Sequence, residues 1–325
     1  MTAISDIRDR LLAIDTNIDN PDYEKGKLDK NGKPVPEYLT MDNFGSFLAC
    51  KKGLPSIDKL QELADEYGDE FKPNLLREKY HLDFSFDESF FNEESPFNNN
   101  FMFVGLNAAA RGEDKKNKKG ELTKGDSLSN WKNFHDKKNF ANTCKMYVQL
   151  SESESEPIFK GCYITDLLKN KVDSNSNHIS RDFFLLSNED ISFANKNADE
   201  NERLKKYNEW YGSDDDNDMS KLIKSNEDVF KNSVDIFIQE CDVIQPKNLV
   251  IFGGTAYKAL KRFAQTDAVK EYDKDHKNKI SDLFKNAIWL EHYANTRSLL
   301  SYFKDRPVEH IPDYTPRFEV AKNNL

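Results

Sequence analysis

The residues of this chain with the most chemical potential stand where apolar runs end. FMFVGLNAAARG (101–112) rises through apolar residues to Gly105, Leu106 and Asn107, and YITDLLK (163–169) leads to Asp166 and Lys169. LVIFGGTAYKAL (249–260) turns at Gly253 and Gly254, and AIWLEHYAN (287–295) stops on Glu291, His292 and Tyr293. An amide donates and accepts at once, a neutral imidazole does the same through its two nitrogens, and a carboxyl accepts and, once protonated, also donates. His135 in NWKNFHD (130–136) is a competing imidazole, and Phe134 or Trp131 beside it could stack on a flat ring. Each residue also has a plain structural use. Asn107 can cap the turn after its strand, Asp166 can pair with Lys169, and the aromatics can fill a core.

Continuous apolar strands alternating with helices mean a mainly parallel sheet covered on both faces. The ligand crevice of such a sheet lies outside the carboxyl ends of its strands. The pattern predicts strands over 101–106, 159–168, 247–254 and 286–292. Helices are expected over 139–150, over 227–244 on a stripe of Phe230, Val234, Phe237, Cys241 and Ile244, over 255–264 with Thr255 as cap, and from near Thr296. Upstream, helices are expected over 4–14, 56–67 with Ser56 as cap, and 73–80. A polar loop spans 17–45, and HLDFSFDESFF (81–91) alternates like an edge strand or an extended segment packed on the main body. The expected fold is α/β, with four short strands in residues 96–325. An acidic helical insertion at about 171–226 interrupts that domain, and an acidic, mostly helical extension, 1–95, packs on it.

The 325 residues carry a formal net charge of −10, which argues against wholesale nucleic-acid binding. The distribution is uneven. Residues 111–145 hold 10 Lys and Arg against 5 Asp and Glu, whereas residues 1–99 hold 12 against 21. The basic run follows Asn107 directly. It reads either as a solvated loop or as a rim for an anionic ligand. No stretch has the roughly 20 apolar residues of a membrane span, and the N-terminus lacks a secretion signal's apolar centre. Four scattered cysteines make no metal spacing and suit a reducing compartment. The expectation is a soluble cytoplasmic protein with no cofactor and no membrane partner.

The strings VGLNAAARG, YITDLLK, LVIFGGTAYKAL and EHYAN, in that order and spacing, resemble the uracil-DNA glycosylase superfamily. NWKNFHD is similar to a bacterial subgroup of it without an assigned activity. The likeness covers roughly residues 96–305. It implies a three-layer α/β/α domain that flips a nucleotide out of DNA and hydrolyses its N-glycosidic bond without metal. It further implies that Asn107 positions the attacking water and that His292 donates to the base oxygen as charge develops there. Gly105, Leu106, Phe134, Asp166 and Tyr293 would then bind the base. Arg111, Lys115, Lys116, Lys118, Lys119, Lys169 and Arg297 would hold the DNA backbone. The chain departs from the family at Asp166, which replaces an asparagine, and at Ala108 and Tyr293, which replace prolines. An ionised Asp166 would repel uracil's O4, whereas a protonated one could accept from an amino group and donate to a ring nitrogen, as on cytosine. Three functions are compatible with these residues: a DNA base glycosylase, a non-catalytic binding module descended from that fold whose acidic extension engages a protein, and a nucleoside-processing hydrolase. The last does not need the basic rim.

Overall fold

The structure is a computed structural model. It describes residues 3–29, 32–92, 97–108, 115–116, 122–123, 130–135, 140–150, 157–169, 171, 176–195, 199–212, 216–293, 299–300 and 303. Within them the strands are β1 (Gly45–Phe47), β2 (Cys50–Lys52), β3 (Asp83–Phe86), β4 (Phe101–Ala108), β5 (Lys115–Lys116), β6 (Leu122–Thr123), β7 (Tyr163–Lys169), β8 (Asn248–Phe252) and β9 (Ile288–Leu290). One sheet has the order β1-β7-β4-β8-β9. β7, β4, β8 and β9 run parallel, so their carboxyl ends share one edge. β1 joins antiparallel, with Gly45 opposite Thr165 and Phe47 opposite Tyr163.

The sheet therefore has five strands where the sequence pattern predicts four. The fifth comes from the segment read as loop and extension, and a three-residue Gly-Ser-Phe strand is too short to show a period. The alternating run 81–91 supplies β3, which pairs with β2 and not with the main sheet.

Apolar layers cover both faces, as buried parallel strands require. Met102 and Val104 point toward the helices Asp216–Ile244, Gly254–Phe263 and Ile4–Leu12, and the Phe230, Val234, Phe237, Cys241 and Ile244 stripe is buried there. Phe101 and Phe103 point the other way, toward Phe159, Phe252 and the helices Ile57–Tyr67, Pro73–Tyr80 and Phe140–Gln149. A smaller cluster of Phe184, Ala194, Tyr207 and Ile223 is built by the acidic insertion. Arg262 ties that insertion to the body. Its buried guanidinium donates to the Phe183 carbonyl at 2.9 Å and to Glu227 at 2.7 Å, and lies 3.8 Å from the centre of the Phe230 ring.

Local signals act largely as their chemistry dictates. Ser56 caps its helix by accepting from the Lys59 amide. At the helix after β8 the cap is Gly253, with φ of 90°, and Thr255 lies inside the first turn. Among the described residues no helix is long and apolar enough to cross a membrane, and none of the four cysteines forms a disulfide.

Candidate functional site at the strand exits

Register fixes the site's framework. Gly105 lies beside Asp166, and Asn107 beside Leu168. Gly253 follows β8 and donates its amide to the Leu290 carbonyl at 2.7 Å, just ahead of Glu291, His292 and Tyr293. The backbones of Asn107 and His292 thus flank the exit of β8 on the same edge, about 10 Å apart across the sheet at two strand spacings. The Asn107 side chain lies outside the described residues.

Asp166 is the most unusual group on this edge. It is only 6 % exposed. Burial pushes its carboxyl up to about 7, against the lowering effects of the Lys169 charge and an Asn133 hydrogen bond, while Glu240 adds to the rise. At neutral pH such a group is present in both protonation states. Gly105 makes room for it: a Cβ there would sit 2.0 Å from Asp166 Oδ1 and 3.6 Å from the Phe134 ring. Glycine, carboxyl and aromatic ring therefore form one patch. We expect Gly105→Ala to displace the carboxyl and to cost about 1–3 kcal/mol by overpacking. Adding Asp166→Ala should restore most of that stability in a double-mutant cycle of denaturation curves. Additive losses would mean that the two side chains do not compete for this space.

The NWKNFHD segment supplies the wall of the patch. Trp131 and Phe134 have left-handed backbones, with φ of 63° and 64°, a costly conformation for bulky residues. Asn130 donates its amide to Asp42 Oδ2 at 2.6 Å, and Ser46 Oγ donates to the Trp131 carbonyl at 2.5 Å. Asn133 Nδ2 donates to the Phe44 carbonyl at 2.8 Å and to Asp166 Oδ2 at 3.3 Å. The N-terminal segment thus anchors the turn that faces Asp166.

On the far side of the edge, His292 stacks on Tyr293 with ring centres 4.5 Å apart, and Tyr293 meets Phe252 edge-on at 5.4 Å. Burial lowers the His292 pKa, which favours the neutral imidazole. Tyr293 is shifted upward by burial and then by the charge of Asp166, which places its hydroxyl within electrostatic reach of that carboxyl. Gly253 lets His292 come close, since a Cβ there would sit 3.1 Å from the His292 Cβ. Behind this turn the buried Gln149 donates to the Glu291 carbonyl at 2.8 Å. Sequence reading missed Asn133 and Gln149. Neither has a motif of its own, and the partners that give them a role are distant in the chain.

Several expected site residues lie elsewhere. Lys169, expected as a DNA contact, is 1 % exposed, because β7 continues through it and turns its side chain under the sheet. Its ammonium meets Glu240 at 2.8 Å, Thr165 Oγ1 at 2.7 Å and the Asp166 backbone oxygen at 2.5 Å. That placement also removes a direct Asp166–Lys169 side-chain pair. Leu106 does not face the Gly105–Asp166 patch. Strand alternation places it on the opposite apolar layer from Gly105. Trp131 is a core residue against Phe47 and Phe91. His135 is buried, with Nδ1 2.7 Å from the Phe84 carbonyl and Nε2 2.8 Å from the Phe47 carbonyl, so both nitrogens are committed to backbone. Lys115 and Lys116 form β5, paired with β6, and their side chains lie outside the described residues. Arg111, Lys118, Lys119, Arg297 and the helix expected from Thr296 also lie outside the described residues.

Among the described residues no group of three His, Cys, Asp or Glu side chains is placed to hold a metal ion. Fold and site together define an α/β protein with a buried carboxyl on β7, level with the end of β8, in a mixed, mostly parallel sheet. Comparison of the chain with protein-family models, curated proteins and solved structures returns no match.

Proposed function

We propose that the chain is a DNA base glycosylase acting on a flipped base that bears an exocyclic amine, a modified cytosine being the model substrate. The observation that carries this reading is Asp166: a buried carboxyl, pushed up to about 7 by that burial, packed against a glycine and beside an aromatic ring. In its neutral form it can accept from an amino group and donate to an unprotonated ring nitrogen. Phe134 supplies a stacking surface for the base.

In the reaction, water adds its oxygen to C1′ of the sugar. The glycosidic bond breaks, its electron pair leaves with the base, and the water's proton ends on the base. We assign Asn107 to orient that water. Neutral His292 donates to the base oxygen as it gains charge, a contribution of roughly 2.7–4 kcal/mol to the barrier in comparable sites. The basic run around Lys115 and Lys116 would grip phosphates, with binding that weakens steeply as salt rises.

The test is direct. DNA carrying uracil, cytosine or modified cytosines is incubated with the protein and assayed for abasic sites. Release from modified-cytosine DNA, lost by about 100-fold or more in Asn107→Ala, is the expected result. Uracil release that matches or exceeds it would overturn the substrate assignment. Salt-sensitive DNA binding with no release of any base would overturn catalysis. It would leave the binding-module reading that Ala108 and Tyr293, standing in place of two loop-stiffening prolines, favour.

A further inference from the structure

A neutral carboxyl carries one proton on two chemically equal oxygens, so unaided it can present donor and acceptor in either order. One order complements the amine and bare ring nitrogen of a cytosine-type edge. The other complements the carbonyl and ring N–H of uracil. A protonated Asp166 alone would therefore discriminate poorly between them.

We infer that Asn133 is the specificity-determining residue of this site, because its amide donates to Asp166 Oδ2 and so fixes the acceptor there and the proton on Oδ1. This deepens the proposed function and rests on it for the identity of the base. The geometry leaves the amide no freedom to turn around. Asn133 Oδ1 accepts from the Phe134 amide at 3.2 Å, while Nδ2 donates to the Phe44 carbonyl at 2.8 Å and to Asp166 Oδ2 at 3.3 Å. A reversed amide would face two acceptors with an oxygen and one donor with an N–H. The turn itself is held in a left-handed conformation at Trp131 and Phe134 and bolted to Asp42 and Ser46. Asp166 Oδ1 is the oxygen that lies over Gly105, where the missing Cβ leaves it space.

Three charged or titratable groups act electrostatically with Asp166. Lys169 lies on its own strand, Glu240 on the helix Asp216–Ile244, and Tyr293 beyond β9. Lys169 bonds the backbone oxygen of Asp166 and not its carboxyl. Among the described residues Asn133 is the carboxyl's one hydrogen-bond partner. The other groups shift how much proton is held. Asn133 decides where it sits.

The experiment uses the full chain with Asn133→Ala and the shape-conserving Asn133→Leu, each checked for a native melting transition. The first readout is a carbon NMR titration of the Asp166 carboxyl, which needs no ligand. Losing a donor to the charged form should move its midpoint upward by about one pH unit in both variants. The second readout is the ratio of base release from modified-cytosine DNA to that from uracil DNA, which should fall about tenfold or more toward unity. A midpoint that stays put overturns the inference, and so does a ratio that holds. Should the wild-type protein release no base, the proposed reaction fails. The titration alone then decides whether Asn133 governs this carboxyl.

Discussion

Lys169→Met lowers the unfolding free energy by about 3–5 kcal/mol, the usual cost of stripping one partner from a buried ion pair. Glu240 is the reason. Its carboxylate lies beneath the sheet, 2.8 Å from the Lys169 ammonium, and also accepts from the Tyr163 hydroxyl at 2.8 Å and the Thr165 hydroxyl at 2.7 Å. Two hydroxyl donors do not compensate a full buried charge once the ammonium is gone. Adding Glu240→Gln removes that charge while keeping an oxygen for both hydroxyls, so the double variant should recover at least half the loss. Urea denaturation of the wild type and the three variants measures this. A single-variant loss under about 1 kcal/mol, typical of an exposed pair, would contradict the buried network.

Asp166→Asn should stabilise the protein at pH 8 and leave it unchanged near pH 4. The sign follows from the carboxyl's rise to about 7 from an ordinary 3.8. The folded protein binds this proton more tightly than the unfolded chain. Its contribution therefore favours folding at low pH and is lost as pH climbs from about 4 to about 7. Three pH units correspond to about 4 kcal/mol at most, so a gain of roughly 2–4 kcal/mol at pH 8 is expected from denaturation curves. The amide also mimics the neutral acid, with its NH2 over Gly105 and its oxygen toward Asn133. Base release, which should decline above pH 7 in the wild type, should then stay level in the variant. Stability curves that run parallel from pH 4 to pH 8 would show that Asp166 is not held as a neutral acid.

Elements buried on both faces were legible because nothing interrupts their apolar runs. FMFV, LVIF and the Phe230-to-Ile244 stripe lie in the expected elements, and their apolar side chains are buried. Charge misled at one place. The helix expected from residue 227 starts at Asp216, inside the stretch assigned to the acidic insertion, where carboxylates in the first turn suit the helix dipole. Lys169 misled for a related reason. A lysine near a strand exit is normally exposed, and only the remote Glu240 explains its burial. The sequence pattern put Asp166 at the exit of its strand, whereas β7 runs on past it to Lys169 and Asp166 is level instead with the end of β8. The turn that orients it was not legible, because Asn133 finds its partners 89 and 33 residues away. Spacing rules carry no information at that range.

The short antiparallel strand β1 has a further consequence for the order of events during synthesis. Phe44 and Thr165, which meet at this seam, are 121 residues apart. The strand that leaves the ribosome first thus waits for β7, made far later in the chain, and until then Phe44 and Phe47 have no sheet to close against. The anchoring of Asn130 and Asn133 waits on the same event. The wall of the Asp166 patch is finished only when the beginning of the chain returns to its middle, while β8 and β9, which complete the same sheet edge, are made later still.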